Sequence, residues 1–177
     1  PQTTTEETIN NAHWCGGDTW LIQLGDQIDR CRPDDWDQNC IKDLSDVYED
    51  EGNNMAIIKL LLRLDDEARQ CGGRVLGLLG NHEIMNIMGI FDYVSPKGFQ
   101  HFKNFEERKK YFAIGNDFCK YLASGWNPIV KINDFLFCHG GIKYNIAEKY
   151  SILYINEFMR NTLYNKQINL YKKEFND

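Results

Sequence analysis

A buried strand that leads directly into a polar turn is the stretch on which the predicted fold depends. It runs Arg74-Val-Leu-Gly-Leu-Leu79 and continues as Gly80-Asn81-His82-Glu83. The short apolar run is typical of a strand buried on both faces, and the residues after Glu83 begin a helical pattern. Three successive polar side chains there can bind a metal, hold an anion or move a proton. The alternative is a plain strand-to-helix turn in which Asn81 caps the helix.

A second strand and a helix precede this stretch and complete a predicted structural unit. Residues 19–24 predict a buried strand that ends at Gly25-Asp26, and a helix capped at Asn53 or Asn54 follows. A strand, a helix and a strand in this order predict a parallel, right-handed βαβ unit. Ligands of such sheets collect at the carboxyl ends of the strands. We therefore expect Gly25-Asp26 and Gly80-Asn81 to lie at that edge.

The second half of the chain predicts a loop, a helix, a hairpin and a helical end. Residues 91–105 are aromatic-rich and broken by proline and glycine, which predicts a loop. Residues 106–124 predict one amphipathic helix. Two short strands around Asn133-Asp134 predict a hairpin that ends at His139-Gly140-Gly141. From residue 142 onward the pattern is helical.

The composition limits the class of protein. With 177 residues, 42% of them hydrophobic and 26% charged, the chain predicts one globular domain over residues 1–177. The net charge of −6 argues against a nucleic-acid partner. The only basic cluster, Arg108-Lys109-Lys110, has a helical pattern and is interpreted as a solvated face. No apolar run suits a membrane span, and no signal peptide opens the chain, so we expect no membrane partner.

Two segments and the cysteines complete the outline. Residues 1–13 are polar and predict no regular element, and residues 31–52 are acidic and irregular, which predicts an inserted loop. The abrupt start indicates a piece of a longer protein. The six cysteines follow no framework spacing, which favours a reducing, cytoplasmic setting. Cys31 and Cys40 are expected as free thiols, with a disulfide or a shared metal as the alternative.

Three predicted strands end in polar motifs that together suit a metal. The motifs are Gly25-Asp26-Gln27-Ile28-Asp29-Arg30, Gly80-Asn81-His82-Glu83 and His139-Gly140-Gly141. The Asp26 carboxylate can bridge two cations, while Asn81 and His139 offer an oxygen and a nitrogen ligand. Mixed oxygen and imidazole ligation suits manganese, iron or zinc better than calcium.

The same motifs carry groups that can bind a phosphate and move a proton. Arg30 can hold two phosphate oxygens at once, and its alternative role is a surface salt bridge with the acidic insert. His82 is suited to proton transfer near neutral pH. Asp29 can hold the other ring nitrogen of His82 in the productive tautomer.

In this order and at these spacings, the three motifs resemble those of the metallophosphoesterase (calcineurin-like) superfamily. The Asp-Arg ending and the Gly-Asn-His-Glu form are similar to its phosphoprotein phosphatase branch. The flanking residues resemble the Shewanella-like protein phosphatases at Trp14-Cys15-Gly16-Gly17, Met85-Asn86 and Tyr93-Val94. The resemblance implies an α/β fold, a β-sandwich flanked by helices in αββα layers. It also implies that this chain is a fragment without the first and the C-terminal strands.

For the metals, the resemblance implies a binuclear-metal phosphoester hydrolase with two divalent ions (Mn²⁺, Fe²⁺/³⁺ or Zn²⁺). Asp26 would bridge the ions, and Asn81 and His139 would be ligands of the second. The implied mechanism is in-line attack by a metal-bound hydroxide between ions about 3.5–4 Å apart.

For the substrate, the resemblance implies a protein phosphatase acting on a phosphorylated protein or another phosphomonoester. His82 would be the general acid, Asp29 its partner, and Arg30 with Asn81 would bind the phosphate. Glu83 is expected in a supporting role.

The chain also departs from the family pattern. The opening Gly-Asp-x-His-Gly motif is absent, and no histidine follows His139. We therefore expect either a fragment of a longer protein, inactive as it stands, or a degenerate site. Two alternative functions remain open: a nucleotide or dinucleoside polyphosphate hydrolase, and a catalytically incomplete scaffold that binds a partner.

Overall fold

The computed structural model describes residues 5–31 and 52–165. The acidic insert predicted at residues 31–52 falls almost wholly outside this range, and so does the expectation for Cys40. The helices and strands of the described residues run in the following order: α1 (Thr5–Asn11), β1 (Trp20–Gln23), α2 (Asn54–Arg69), β2 (Arg74–Gly77), α3 (Asn81–Ile87), α4 (Pro96–Gln100), α5 (Phe105–Phe112), α6 (Asp117–Gly125), β3 (Ile129–Ile132), β4 (Phe135–Cys138), α7 (Tyr144–Lys149) and α8 (Ile152–Asn165). The predicted α/β class is confirmed.

Two compact units make up the chain. The first comprises Pro1–Gln23, Gln27–Leu76 and Phe91–Phe105, and the second comprises Leu24–Asp26, Gly77–Ile90 and Glu106–Asp177. The expectation of one domain over the whole length stays a prediction.

The strand–helix–strand unit predicted from the sequence is present. β1 and β2 are hydrogen-bonded neighbours in a two-stranded sheet, and α2 connects them along the chain. The backbone N–H of Arg74 donates to the carbonyl of Thr19 over 3.1 Å. α2 buries Met55, Ile58 and Leu62 on one stripe, while Ile57, expected on the buried face, is exposed.

A buried carboxylate ties α2 to the start of β2 in the first unit. Asp65 accepts hydrogen bonds from the backbone N–H of Val75 over 2.8 Å and from Nε of both Arg69 and Arg74 over 2.9 Å. Burial alone would raise the pKa of Asp65, but the hydrogen bonds from Arg74, Val75 and Arg69 outweigh it and lower the pKa. The carboxylate is therefore charged and fully engaged at neutral pH.

The prediction that residues 1–13 contain no element is wrong. Residues Thr5–Asn11 form α1, which packs on α2, and Nη2 of Arg63 donates to the carbonyl of Ile9 over 2.9 Å. This helix is polar and lacks an apolar stripe, so its sequence shows no helical period. His13, two residues after this helix, is exposed and pairs with Glu67 over 3.2 Å.

The loop predicted at residues 91–105 contains a short helix, α4. The hydroxyl of Ser95 accepts a hydrogen bond from the backbone N–H of Gly98 over 3.2 Å, and Pro96 follows as the first helical residue. Proline is favoured at that position because its missing N–H has no partner there anyway. Pro96 therefore begins a helix, whereas the sequence pattern predicts that it interrupts one.

The second unit is built on the predicted hairpin. β3 and β4 pair antiparallel from Ile129 opposite Cys138 to Ile132 opposite Phe135. The turn between them places Asn133 at a φ of 52°, a left-handed conformation that asparagine tolerates. Residue Asn127, just before β3, accepts a hydrogen bond from the N–H of Leu79 over 3.1 Å. This bond brings the end of the opening stretch alongside the hairpin.

The single helix predicted for residues 106–124 is two helices, α5 and α6. The chain turns at Gly115, whose φ is 78°, and the Asn116 side chain then accepts from the N–H of Phe118 over 3.1 Å. Glycine with a positive φ followed by an N-cap asparagine is a stop and a new start. The helical pattern predicted from residue 142 onward includes α8, which buries Ile155, Met159 and Leu163 on one stripe.

Two further findings concern cysteines and membranes. Cys31 is disulfide-bonded, so the expectation of a free thiol at this position is wrong. Cys15, Cys71, Cys119 and Cys138 are free.

Of the helices that the structure describes, none is both long and apolar enough to cross a membrane.

Candidate metal centre

Four of the predicted site residues come together in the second unit. Nε2 of His139 lies 3.0 Å from Oδ2 of Asp26 and 3.1 Å from Oδ1 of Asn81. Nε2 of His82 lies 3.8 Å from the same Oδ2 of Asp26. The ends of three separate stretches, at Asp26, Asn81 and His139, therefore meet around one point.

Two glycines allow this close approach. Gly25 has a φ of 99°, and a Cβ added to it would lie 2.8 Å from the N of Gly80 and 3.0 Å from Nδ1 of His139. A side chain at Gly25 would therefore push these segments apart. Asp26 itself has a φ of 56°, a left-handed conformation that costs an aspartate energy and that often occurs at functional sites.

The hydrogen bond of His139 to the backbone determines which of its ring nitrogens faces the site. Nδ1 lies 2.8 Å from the carbonyl oxygen of Leu24, and a carbonyl can only accept, so Nδ1 carries a proton. In the neutral ring Nε2 then presents a lone pair toward the oxygens of Asp26 and Asn81. A metal-ligating histidine commonly donates its other N–H to a carbonyl in this way.

The donor set fits a divalent cation. The Nε2 lone pair of His139 lies about 3 Å from a carboxylate oxygen of Asp26 and from the amide oxygen of Asn81, and these atoms repel unless a cation or a second ring proton lies between them. Oxygen and imidazole donors together match manganese, iron or zinc. Within residues 5–31 and 52–165, no three histidine, cysteine or carboxylate side chains group around a metal. The third donor is therefore the Asn81 amide.

His82 is held close to this donor set and away from solvent. It is buried, and its backbone N–H donates to Oδ1 of Asp26 over 3.0 Å. One carboxylate therefore accepts from the backbone of the predicted proton donor with one oxygen and faces His139 with the other. The ring of His82 lies beside the donors rather than among them, which suits proton transfer.

Glu83 has a structural role at the same point. It is 1% exposed, and its Oε2 accepts from the backbone N–H of Gly80 over 2.8 Å and of Asp26 over 2.9 Å. A buried carboxylate with two backbone donors links the two strand ends that carry Asp26 and Asn81. Its position three residues after Gly80, at the first turn of α3, is the sequence signal for such a bond.

The sequence did not predict the roles of Asn86 and Arg108. Nδ2 of Asn86 donates to the carbonyl of His82 over 3.0 Å, and Oδ1 of Asn86 accepts from Nε and Nη2 of Arg108 over 3.0 and 2.6 Å. Both residues are buried, at 0% and 1% exposure. The solvated face predicted for Arg108-Lys109-Lys110 is therefore wrong at Arg108 and right at the two lysines, which are exposed.

Asp29 and Arg30 belong to the first unit. Asp29 is buried and has a φ of 64°, and Arg30 is half-buried. Their predicted roles, as the partner of His82 and as the phosphate clamp, stay predictions.

A cavity of about 330 Å³ opens beside the donors, within the second unit. Asn81 and His139 line one side of it, with Gly140 and Gly141 next to them, and Lys143 is a further lining residue. The rest of the lining is largely apolar: Leu79, Ile84, Pro128, Ile129, Ile142, Ile146, Ile155 and Met159. An apolar cavity with a few polar groups at one side is typical of a small-molecule or side-chain site.

Comparison with known proteins identifies the family of the chain. The family model described as calcineurin-like phosphoesterase matches residues 4–176. The chain belongs to this family of phosphoesterases, which confirms the resemblance stated above.

The chain is similar to particular members. It is 31% identical over 148 residues to Shewanella-like protein phosphatase 1 of Plasmodium berghei, covering 82% of this chain and 35% of that protein. It is 35% identical over 112 residues to Shewanella-like protein phosphatase 2 of Arabidopsis thaliana, covering 63% of this chain and 22% of that protein. A cold-active protein tyrosine phosphatase of known structure superposes with a TM-score of 0.66 at 26% identity, covering 92% of this chain and 42% of that one. The chain thus spans less than half the length of each.

Proposed function

We propose that the protein containing this chain is a metal-dependent phosphoester hydrolase, and more narrowly a protein phosphatase. The observation that supports this most directly is the convergence of Asp26, Asn81 and His139 on one point, with His82 beside Asp26. Membership of a phosphoesterase family and relatives named as protein phosphatases support the same assignment.

Each residue of the site would have a separate task. Divalent ions held by Asp26, Asn81 and His139, two in the binuclear centre that the resemblance implies, would supply positive charge for the phosphoryl group and activate water. His82 would give a proton to the leaving oxygen, because it is buried and fixed to Asp26 through its backbone. Asp29 would hold the His82 ring, and Arg30 would grip the phosphate oxygens.

An aromatic phosphomonoester fits the cavity beside the site. The cavity lies next to Asn81 and His139 and its lining is largely apolar, so a leaving group such as a tyrosine ring would be removed from water there. A structural neighbour is named as a protein tyrosine phosphatase. We therefore propose phosphotyrosine in a protein as the first substrate to test.

The remaining parts of the proposal are manganese as the metal and the cytoplasm as the location, and one observation argues against the second. The mixed ligand set favours manganese, iron or zinc without separating them. The disulfide at Cys31 counts against a reducing compartment, because such bonds persist mainly in oxidising ones. Fractionation of cells that express the tagged full-length protein, with alkylation of free thiols at lysis, tests the location.

The full-length protein with Mn²⁺ tests the proposed activity on three substrates. We expect turnover of 4-nitrophenyl phosphate and of a phosphotyrosine peptide, and little turnover of a dinucleoside polyphosphate. Turnover of the nucleotide alone would replace the protein phosphatase with the nucleotide hydrolase. Metal binding without any turnover would favour the catalytically incomplete scaffold, whose described residues supply the three donors Asp26, Asn81 and His139.

Substitution of the proton donor tests its role within that activity. We expect His82→Asn to lower kcat by about 10²-fold or more, in the range that general acid catalysis supplies, while Mn²⁺ affinity stays close to that of the parent. Calorimetric titration with Mn²⁺ and steady-state kinetics measure the two effects. Full activity in His82→Asn would remove His82 from the mechanism.

A further inference from the structure

A buried asparagine bonds to the backbone of His82, and a buried arginine bonds to that asparagine. Neither residue has a part in the proposed reaction. Arg108 is 1% exposed and directs both Nε and Nη2 at one oxygen, Oδ1 of Asn86. Its guanidinium also stacks 4.9 Å from the ring centre of Phe112. Burying a guanidinium costs free energy unless it gains specific partners. The buried Arg108 therefore has a role inside the protein and is not a charge that keeps the surface solvated.

The guanidinium fixes which way the Asn86 amide points. Arginine can only donate, so the atom of Asn86 that faces it must be the oxygen. The NH₂ group of the amide is then turned toward the carbonyl of His82, where it donates over 3.0 Å. Arg108 therefore orients the amide, and the amide holds the backbone of His82.

Both backbone polar groups of His82 are therefore hydrogen-bonded to side chains. Its N–H donates to Oδ1 of Asp26 over 3.0 Å, and its C=O accepts from Nδ2 of Asn86 over 3.0 Å. α3 has only seven residues, and a helix this short has little stability of its own. The first turn that carries His82 therefore depends on such side-chain bonds for a fixed position.

We propose that Asn86 and Arg108 are positioning residues that fix His82 for proton donation to the leaving group. This inference rests on the proposed function, in which His82 is the general acid. Loss of the Asn86 donor should therefore slow reactions whose leaving group needs a proton more than reactions whose leaving group does not. A purely structural role would slow both equally.

Asn86→Asp is the sharpest variant, because it keeps the shape and the contact with Arg108. The aspartate still accepts from the guanidinium, now as a charge pair, but it has no N–H to donate to His82. Asn156→Asp is the matched control. In α8 of the same unit, Nδ2 of Asn156 donates to the carbonyl of Ile129 over 2.8 Å and Oδ1 accepts from the N–H of Ile129 over 3.2 Å.

The kinetic test compares phenyl phosphate with 4-nitrophenyl phosphate in the full-length protein. We expect Asn86→Asp to lower kcat about 10-fold or more on phenyl phosphate and about 3-fold or less on 4-nitrophenyl phosphate, since only the first needs strong general acid help. KM should change little. Asn156→Asp should leave the ratio of the two kcat values at its parent value. Equal losses on both substrates, or no loss in Asn86→Asp, would overturn the proposal.

Amide hydrogen exchange tests the same contact without turnover. In the metal-free protein, Asn86→Asp and Arg108→Met should each speed exchange of the His82 N–H, and Asn156→Asp should not. Unchanged exchange in both variants would overturn the proposal even in an active enzyme. Faster exchange in a protein that hydrolyses no phosphoester would uphold the contact and reject the proposed function instead.

Discussion

At the scale of single residues, Asp26 is the point on which the site depends. Its two carboxylate oxygens have different tasks, since Oδ1 accepts from the backbone of His82 and Oδ2 faces His139. Its backbone is left-handed, and its N–H donates to Glu83. Gly25 allows Asp26 to approach the second motif, because a Cβ at Gly25 would collide with the N of Gly80. These features explain why a polar cluster occurs where packing alone would favour apolar residues.

Glu83 provides a prediction at this scale. Glu83→Gln keeps the shape but replaces two charge-assisted bonds, to the N–H groups of Gly80 and Asp26, by weaker neutral ones. We expect a loss of about 1–2 kcal/mol in the free energy of unfolding and a weaker affinity for Mn²⁺, because Asp26 is no longer fixed. Urea unfolding and calorimetric metal titration measure the two quantities.

The control for this prediction is Glu157→Gln, an exposed position on α8 in the same unit. A surface change of this kind is expected to alter stability by less than about 0.5 kcal/mol. If Glu83→Gln behaved like Glu157→Gln in both measurements, Glu83 would not support the site.

At the scale of helices and strands, the sequence predicted the elements that an apolar period marks. β1, α2, β2 and the β3–β4 hairpin are where the patterns placed them. The burial predicted for β1 is wrong, because Trp20 and Leu21 are exposed. α1 was missed because its sequence is polar, and the break between α5 and α6 because Gly115 and Asn116 interrupt an otherwise continuous apolar stripe. In each case a capping group or a tertiary contact decided the structure.

The roles of Asn86 and Arg108 show the same limit within the site. Asp26, Asn81, His82 and His139 stand in motifs near the ends of predicted strands, and among the described residues the structure brings these four side chains together. Arg108 stands beside two exposed lysines, so its sequence context is that of a solvated face. Its burial becomes visible only when α5 is placed against α3, which brings its guanidinium to the Asn86 side chain.

Asp65 gives a prediction for the junction of α2 and β2. Because the folded state lowers the pKa of Asp65, its stabilisation is complete above the pKa of an unfolded aspartate, about 3.9, and is lost as the pH falls below that value. Asp65→Asn should lower the free energy of unfolding by about 2–3 kcal/mol at pH 7 and flatten its decline below about pH 4. Urea unfolding across this pH range measures both effects.

Asp66→Asn is the matched control for Asp65→Asn. Asp66 is the next residue in α2 and is exposed, so its replacement should change stability by less than about 0.5 kcal/mol at pH 7. An acid limb in Asp65→Asn as steep as that of the parent would contradict the account of this junction.

At the scale of the whole molecule, the three proposed metal ligands, Asp26, Asn81 and His139, all belong to the second unit, and so does His82. Asp29 and Arg30 belong to the first unit. Three donors are fewer than a pair of divalent ions requires, so a binuclear centre needs ligands from beyond the described residues. The chain spans 35% of the length of its Plasmodium relative, and the activity of the full-length protein is accordingly the quantity to be tested.

Anomalous diffraction from crystals of the full-length protein grown with Mn²⁺ shows whether the three donors hold a metal. We expect a manganese peak bounded by Oδ2 of Asp26, Oδ1 of Asn81 and Nε2 of His139, with Nδ1 of His139 still bonded to the carbonyl of Leu24. In crystals of Asp26→Asn the peak should weaken or vanish. A manganese peak elsewhere, or none between these three atoms in the parent protein, would contradict the account.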